Sequence, residues 1–265
     1  MSRSQSDKLV VKHKQIDGFR DEIAEAEESS PEQFFSWFNK AGSVEDSFRR
    51  GAWDFSSAVG CHLAPLVLPG KAQAVLEIGY GGGRLLAAAA RHFDRAIGID
   101  VHGKAETVSR ELEKRGIKNF SLIQSTGWDL PVSDASLDAV YSFIVLQHVG
   151  LIKVLISYLE ETARVLRPGG AAVLYFGRWS RFSDSRSQRA LYWVDRALER
   201  VVLRDGYQES SSVINDVNLQ VTVPRAKQLA ALAGLETLDV LVSRRFREVG
   251  RPLYGRQSGL VLRRS

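Results

Sequence analysis

The sequence predicts a doubly wound α/β fold: a mostly parallel sheet with an antiparallel last strand, an N-terminal helical extension and a helical cap insertion. Three observations carry this expectation. From residue 72 onward, short apolar runs alternate with amphipathic stretches, the pattern of parallel strands joined by crossover helices. A glycine-rich turn, Gly79-Tyr80-Gly81-Gly82-Gly83, separates the first apolar run from the first helix of that series. The 265 residues suffice for one large domain with appendages.

Residues 1–70 read as the N-terminal helical extension, with residues 1–16 a polar, disordered tail. A helix is expected over Gly18–Glu28. A second starts at Ser30, with Pro31 at its first position and Gln33 completing a capping box. Its Phe34, Phe35, Trp37 and Phe38 form an aromatic face. A further segment runs from Val44 to Leu68 and closes at Pro69-Gly70. The core spans 71–265. Ala74–Ile78 is a continuous apolar strand, Leu85–His92 a helix, and Ala96–Asp100 a strand ending in an acid. Lys104–Arg115 is a helix stopped by Gly116. Phe120–Ser125 and Leu137–Ser142 are strands three and four. Leu151–Leu166 is an amphipathic helix, and Arg167-Pro168-Gly169-Gly170 breaks it before strand five, Ala171–Phe176. Residues 177–222 depart from the alternation. A helix over Ser187–Arg204, with Leu191, Val194, Leu198 and Val201 as its packing stripe, marks the cap. Pro224–Ala233 is a helix closed by Gly234, and Leu238–Ser243 with Ser258–Leu262 form an antiparallel pair at the sheet edge.

The net charge of +5 gathers in late arginines (Arg244, Arg245, Arg247, Arg251, Arg256, Arg263 and Arg264). No aromatic residues interleave with them in a nucleic-acid motif, so they read as a solvated basic surface, with nucleic acid left open as a partner. Cys61 is the single cysteine, which excludes an intrachain disulfide and a cysteine-built metal site. Histidines 13, 62, 92, 102 and 148 lack ligand spacing, so no metal is expected. The opening residues have no apolar signal core, and no apolar run is long enough to span a bilayer, so the expected location is cytoplasmic. Oligomeric state is not set by the sequence.

Two cofactor classes use a glycine turn after the first strand. A dinucleotide turn wants Gly-x-Gly-x-x-Gly, and Arg84 stands where the third glycine belongs. An NAD(P)-dependent oxidoreductase also lacks a Tyr-x-x-x-Lys proton donor here. Further pieces follow in order: Asp100 closing the second strand, Asp129-Leu130-Pro131, Ser136-Leu137-Asp138-Ala139-Val140, Leu146-Gln147-His148-Val149, and Val165-Leu166-Arg167-Pro168-Gly169-Gly170. With Glu77-Ile78-Gly79-Tyr80-Gly81-Gly82-Gly83 ahead of them, the chain resembles the class I S-adenosylmethionine-dependent methyltransferases over about residues 72–176, and loosely over the last two strands.

That resemblance implies a Rossmann-like sheet and S-adenosyl-L-methionine as cofactor. It assigns Gly79, Tyr80, Gly81 and Gly83 to the methionyl and ribose portions, and Glu77 to the loop or the ammonium. Asp100 falls to the ribose hydroxyls, and Val101 with His102 to the adenine border. Thr126 stands where the family commonly has Asp or Asn, which leaves the adenine edge to the backbone at Gly127 and to Trp128, whose other role is loop packing. Asp129 equally suits a turn cap. Phe143, past the fourth strand, completes the cofactor set. His148 is the candidate general base, or else a structural histidine capping the next helix. The implied reaction is methyl transfer to an oxygen or nitrogen of a small-molecule or glycan-like acceptor. Arg178, Trp179, Arg181, Tyr192 and Trp193 of the cap are offered to that acceptor, and Trp53 either covers the cofactor or fills an ordinary core role. A non-catalytic S-adenosylmethionine-binding protein is the remaining reading beside the oxidoreductase.

Overall fold

The computed structural model describes residues 19–28, 30–39, 43–67, 73–183, 189–210, 216–245 and 253–265. The tail at 1–16 and the stop at Pro69-Gly70 lie outside these residues. Helices cover residues 19–28 (α1), Pro31–Asn39 (α2) and Val44–Phe55 (α3), which continues through a π-helical turn, Ser56–Gly60, into α4 (Cys61–Leu63). Then β1 (Ala74–Ile78), α5 (Arg84–Ala89), β2 (Arg95–Asp100), α6 (Ala105–Lys114), β3 (Phe120–Gln124) and β4 (Leu137–Ser142) alternate. They are followed by α7 (Ile152–Val165), β5 (Leu166–Gly177), α8 (Arg189–Val202), β6 (Tyr207–Glu209), β7 (Leu219–Val221), α9 (Val223–Leu232), β8 (Leu235–Arg245) and β9 (Leu253–Arg264).

The sheet runs β3-β2-β1-β4-β5 with every pairing parallel. β9 lies antiparallel beside β5, and β8 antiparallel beside β9, so the two last strands form the expected pair at the edge. β1 is buried along its whole length, which explains its continuous apolar run. Alternate residues serve opposite faces. Leu76 and Ile78 join Leu155 and Leu159 of α7 and Leu229 of α9. Val75 joins Leu86 of α5 and Val108 and Leu112 of α6, together with Phe34, Phe35, Phe48 and Phe55. The aromatic face of α2 therefore packs into the core of one sheet face.

Some boundaries differ from expectation. β5 begins at Leu166, because Arg167–Gly170 already runs alongside β4, at a shift in register between Leu137 and Ala139. The segment after β5 holds, besides α8, a short antiparallel hairpin of β6 and β7, whose Gln220 pairs with Gly177 at the end of β5. The largest correction concerns α8. Its expected packing stripe faces outward: Leu191, Val194, Leu198 and Val201 are 38, 43, 38 and 68% exposed. Tyr192, Asp195 and Glu199 face inward instead. Both stripes have helical spacing, so periodicity cannot choose between them. Hydrogen bonding does. Asp195, fully buried, accepts from the backbone N–H groups of Arg181, Phe182 and Ser183 at 3.3, 3.1 and 2.9 Å, and faces the buried Arg178 guanidinium at 3.8 Å.

Candidate active site

A cavity opens at the carboxyl ends of β1, β2 and β4, where the strand order reverses direction on either side of β1. Helices α1 and α2 contribute Phe19, Ile23, Trp37 and Phe38 to its wall.

At one end lies the glycine turn. Gly79 has φ +78°, and a Cβ there would sit 2.3 Å from Cγ2 of Val145. Gly81 has φ +50°, and its Cβ would meet Phe38 at 2.7 Å. Both positions exclude a side chain on conformation and on space. Asp100 ties this turn to β2. Its Oδ2 accepts from the Gly81 N–H at 2.8 Å and its Oδ1 from the Val101 N–H at 2.7 Å. Oδ1 also faces the His102 N–H at 3.5 Å, so Oδ2 retains the further acceptor site, and Asp100 lines the cavity. His102 is buried under the turn rather than in the cavity wall. It accepts from the Lys104 N–H at Nδ1, 3.1 Å, so Nε2–H donates to the Gly81 carbonyl at 3.1 Å.

Glu77 is buried at the end of β1 and accepts from the Tyr141 hydroxyl at 3.0 Å. Burial pushes its carboxyl up to about 8, against the opposing pull of Tyr141 and the Arg84 charge. Arg84, whose identity argues against a dinucleotide turn, is buried and pairs with Asp54 of α3 at 2.6 Å. The Tyr80 hydroxyl is buried with no hydrogen-bond partner among the described residues, and burial keeps the phenol protonated.

At the other end stand Phe143, Ile144, Val145 and His148. Ile144 has φ +68°, an outlier for a β-branched residue. Nδ1–H of His148 donates to the Asp216 carbonyl at 2.7 Å, leaving the Nε2 lone pair facing the Gln147 amide at 3.1 Å. Burial lowers the His148 pKa, opposed by the Asp216 carbonyl, so the ring is neutral and able to accept a proton.

Of the expected cofactor residues, Glu77, Gly79, Tyr80, Gly81, Asp100, Val101, Gly127 and Phe143 line this cavity, as does His148. Gly83 and Trp128 do not. Gly83 caps α5 against Val108, and Trp128 packs on the α7 side of the core. Asp129 caps its own turn, accepting from Thr126 N–H at 2.8 Å. None of Arg178, Trp179, Arg181, Tyr192 and Trp193 reaches the cavity, and Trp53 is 58% exposed on α3. Missing from the sequence reading are Phe19 and Arg20 of α1, Ile144, and Tyr158 of α7. Arg20 donates from Nε to the Val101 carbonyl at 2.8 Å and so pins α1 over the end of β2. Tyr158 lines the cavity, and burial raises its pKa. The aromatic run of α2 was the one available signal for this wall. No group of His, Cys, Asp and Glu suited to a metal ion occurs among the described residues.

Residues 76–174 match the methyltransferase domain family. Those residues therefore carry a methyltransferase domain with the fold of the class I S-adenosylmethionine-dependent methyltransferases, which implies S-adenosylmethionine as methyl donor. Among curated proteins, the chain is similar to the tRNA (carboxymethyluridine(34)-5-O)-methyltransferase of Mus musculus, 29% identical over 118 residues. That match takes in 44% of this chain and 16% of the relative, so the chain spans a small part of that protein's length. Among solved structures it resembles a methyltransferase from Aquifex aeolicus (14% identity, 80% of this chain, 93% of that one, TM-score 0.51). It also resembles mitomycin 7-O-methyltransferase MmcR (17% identity, 86% of this chain, 56% of that one, TM-score 0.53). The cyclase SpnF is similar to the same degree (16% identity, 77% and 63% of the two chains, TM-score 0.52). At such identities the likeness is one of fold, and one fold carries more than one reaction.

Proposed function

We propose that this chain transfers the methyl group of S-adenosylmethionine to an oxygen or nitrogen of a small-molecule acceptor bearing an apolar portion. The observation that carries this reading is the single cavity joining Asp100 and Gly81 to His148, walled between them by Phe19, Trp37, Phe38 and Phe143. The donor set suits the cofactor. Asp100 Oδ2 keeps an acceptor site for a ribose hydroxyl, and Glu77 lines the same cavity for the ammonium. Bound there, the cofactor supplies a methyl group already activated by its sulfonium. The chain's own work is positioning and exclusion of water. The aromatic walls exclude water. For an oxygen acceptor, His148 Nε2 takes the departing proton once the Gln147 amide turns aside, and the Asp216 carbonyl holds the ring in the required tautomer.

An RNA acceptor is the second reading, favoured by the net charge of +5 and by the curated relative's substrate. The test begins with calorimetry. S-adenosylhomocysteine binding without NAD binding supports the donor assignment, and NAD binding alone refutes it. Label from methyl-tritiated cofactor is then followed into small-molecule and RNA pools. Label confined to RNA would replace the first reading by the second.

A further inference from the structure

We infer that α8 docks this protein onto the surface of an anionic lipid bilayer. The helix is built inside out. Its charged and phenolic residues Tyr192, Asp195 and Glu199 are buried, while Trp193, Val194, Val201 and Val202 are 61, 43, 68 and 50% exposed. The orientation is locked. Asp195 takes three backbone N–H bonds from residues 181–183 and faces Arg178, whose Nε–H donates to the Gly255 carbonyl at 2.7 Å. Rolling α8 over to hide the apolar stripe would strand the Arg178 and Asp195 charges in the interior. The stripe is therefore fixed outward.

Charge and shape identify the occupant. Both acids of α8 point inward, and among its described side chains the outward charges are arginines: Arg200 and, just past its end, Arg204 are exposed, while Arg196 is partly buried and paired with Glu199 at 2.7 Å. Exposed Arg181 and Phe182 lie in the loop before the helix, and exposed Asp205 lies in the turn after it. A second copy packed on this stripe would bring arginines against arginines with no acid on the helix to meet them. The surface is also a convex rod about 21 Å long rather than a groove, a shape that a deformable bilayer accepts without matched relief. An apolar stripe with a tryptophan, bordered by arginine, has the chemistry of a helix lying in the headgroup region of an anionic membrane. The inference stands without the methyl-transfer reading.

The test is flotation of the full chain with phosphatidylcholine vesicles and with mixed phosphatidylcholine–phosphatidylglycerol vesicles. The protein should float with the anionic vesicles, and the bound fraction should fall as salt rises from about 0.05 to about 0.5 M. Val194→Glu with Val201→Glu, at exposed sites, should leave the thermal midpoint unchanged and cut binding by about tenfold or more. Arg200→Glu with Arg204→Glu should cut it several-fold. Absence of binding, equal binding to both vesicle types, or unaltered binding by the valine variant would overturn the proposal. So would a concentration-dependent dimer that the valine variant dissociates while wild type ignores vesicles. If the valine variant melts early, the arginine variant and the salt series decide in its place.

Discussion

The donor end and the acceptor end of the cavity are held by different means. The donor end is local in sequence: Glu77 to Val101 supply the strand ends, the positive-φ glycines and the carboxylate whose two oxygens gather the Gly81 and Val101 N–H groups. Backbone does most of the holding, and added side chains have no room. The acceptor end is assembled from afar. Gln147 and His148 are held by the Asn218 N–H and the Asp216 carbonyl from the segment leading into β7, and α1 and α2 cover them from the other side. A donor site built of local backbone tolerates little change, whereas an acceptor site built of remote segments is open to variation without disturbing the donor.

If the two ends are separable, His148→Ala has the largest and most selective effect. With an oxygen acceptor, kcat should fall by about 10²–10⁴-fold, while calorimetric affinity for S-adenosylhomocysteine stays within about twofold. A parallel loss of affinity would mean that the two ends are not independent. The wild-type pH profile adds a check. Burial holds the imidazole below its ordinary 6.5, so kcat/KM should persist below that pH and fall only as the pH drops further.

Asp100→Ala tests the other end. Removing the carboxylate deletes a possible ribose contact and frees the Gly81, Val101 and His102 N–H groups. S-adenosylhomocysteine binding should weaken by up to about 10²-fold, a charged hydrogen bond at up to about 3 kcal/mol. With acceptor and cofactor saturating, kcat should change far less. A kcat loss as large as that of the His148 variant would break the comparison.

Glu77 gives a smaller, pH-dependent effect. Its carboxyl, pushed up to about 8 by burial, holds its proton at neutral pH in the free protein. A cofactor ammonium beside it favours the charged form, so affinity for S-adenosylhomocysteine should rise with pH toward about 8 and then level, with proton release seen in buffers of different ionisation enthalpy. The sign for stability is opposite. Between its ordinary 4.5 and about 8 the folded form keeps a proton that the unfolded form gives up, so stability of the free protein should decline as pH rises through that window. Glu77→Gln should flatten both dependences.

What could be read from the sequence follows the same division. The parallel core was legible because β1 is buried on both faces and its apolar run is unbroken, while Gly79, Gly81 and Asp100 carry out local tasks that only those residue types perform. The far wall was not, because nothing near His148 signals that Asp216 will hold it or that Phe19 will stand against it at 6.0 Å. The cap misled for another reason. The apolar stripe and the polar stripe of α8 share one period, and the burial of Asp195 depends on N–H groups presented by the loop before the helix. Trp128 looked like an adenine platform from its place in the chain. Its side chain packs instead against the core, and its backbone carbonyl accepts from the Ser157 hydroxyl at 2.8 Å.

The smallest expected effect on stability tests whether the acceptor end stores strain. Ile144, at φ +68°, stands in the cavity wall directly after Phe143. A β-branched residue held there costs about 1–2 kcal/mol of backbone energy, which glycine would recover. Losing a half-buried isoleucine side chain costs about the same, so Ile144→Gly should shift unfolding free energy by no more than about 1 kcal/mol. Function should respond more than stability. Glycine lets residues 143–148 explore other conformations, and the alignment of His148 with the acceptor depends on that segment. A several-fold drop in kcat with unchanged S-adenosylhomocysteine affinity would show that the strain serves the acceptor end. Unchanged kcat would make Ile144 a passive consequence of fitting Val145 against Gly79. Chemical denaturation and single-turnover kinetics on one preparation distinguish these outcomes.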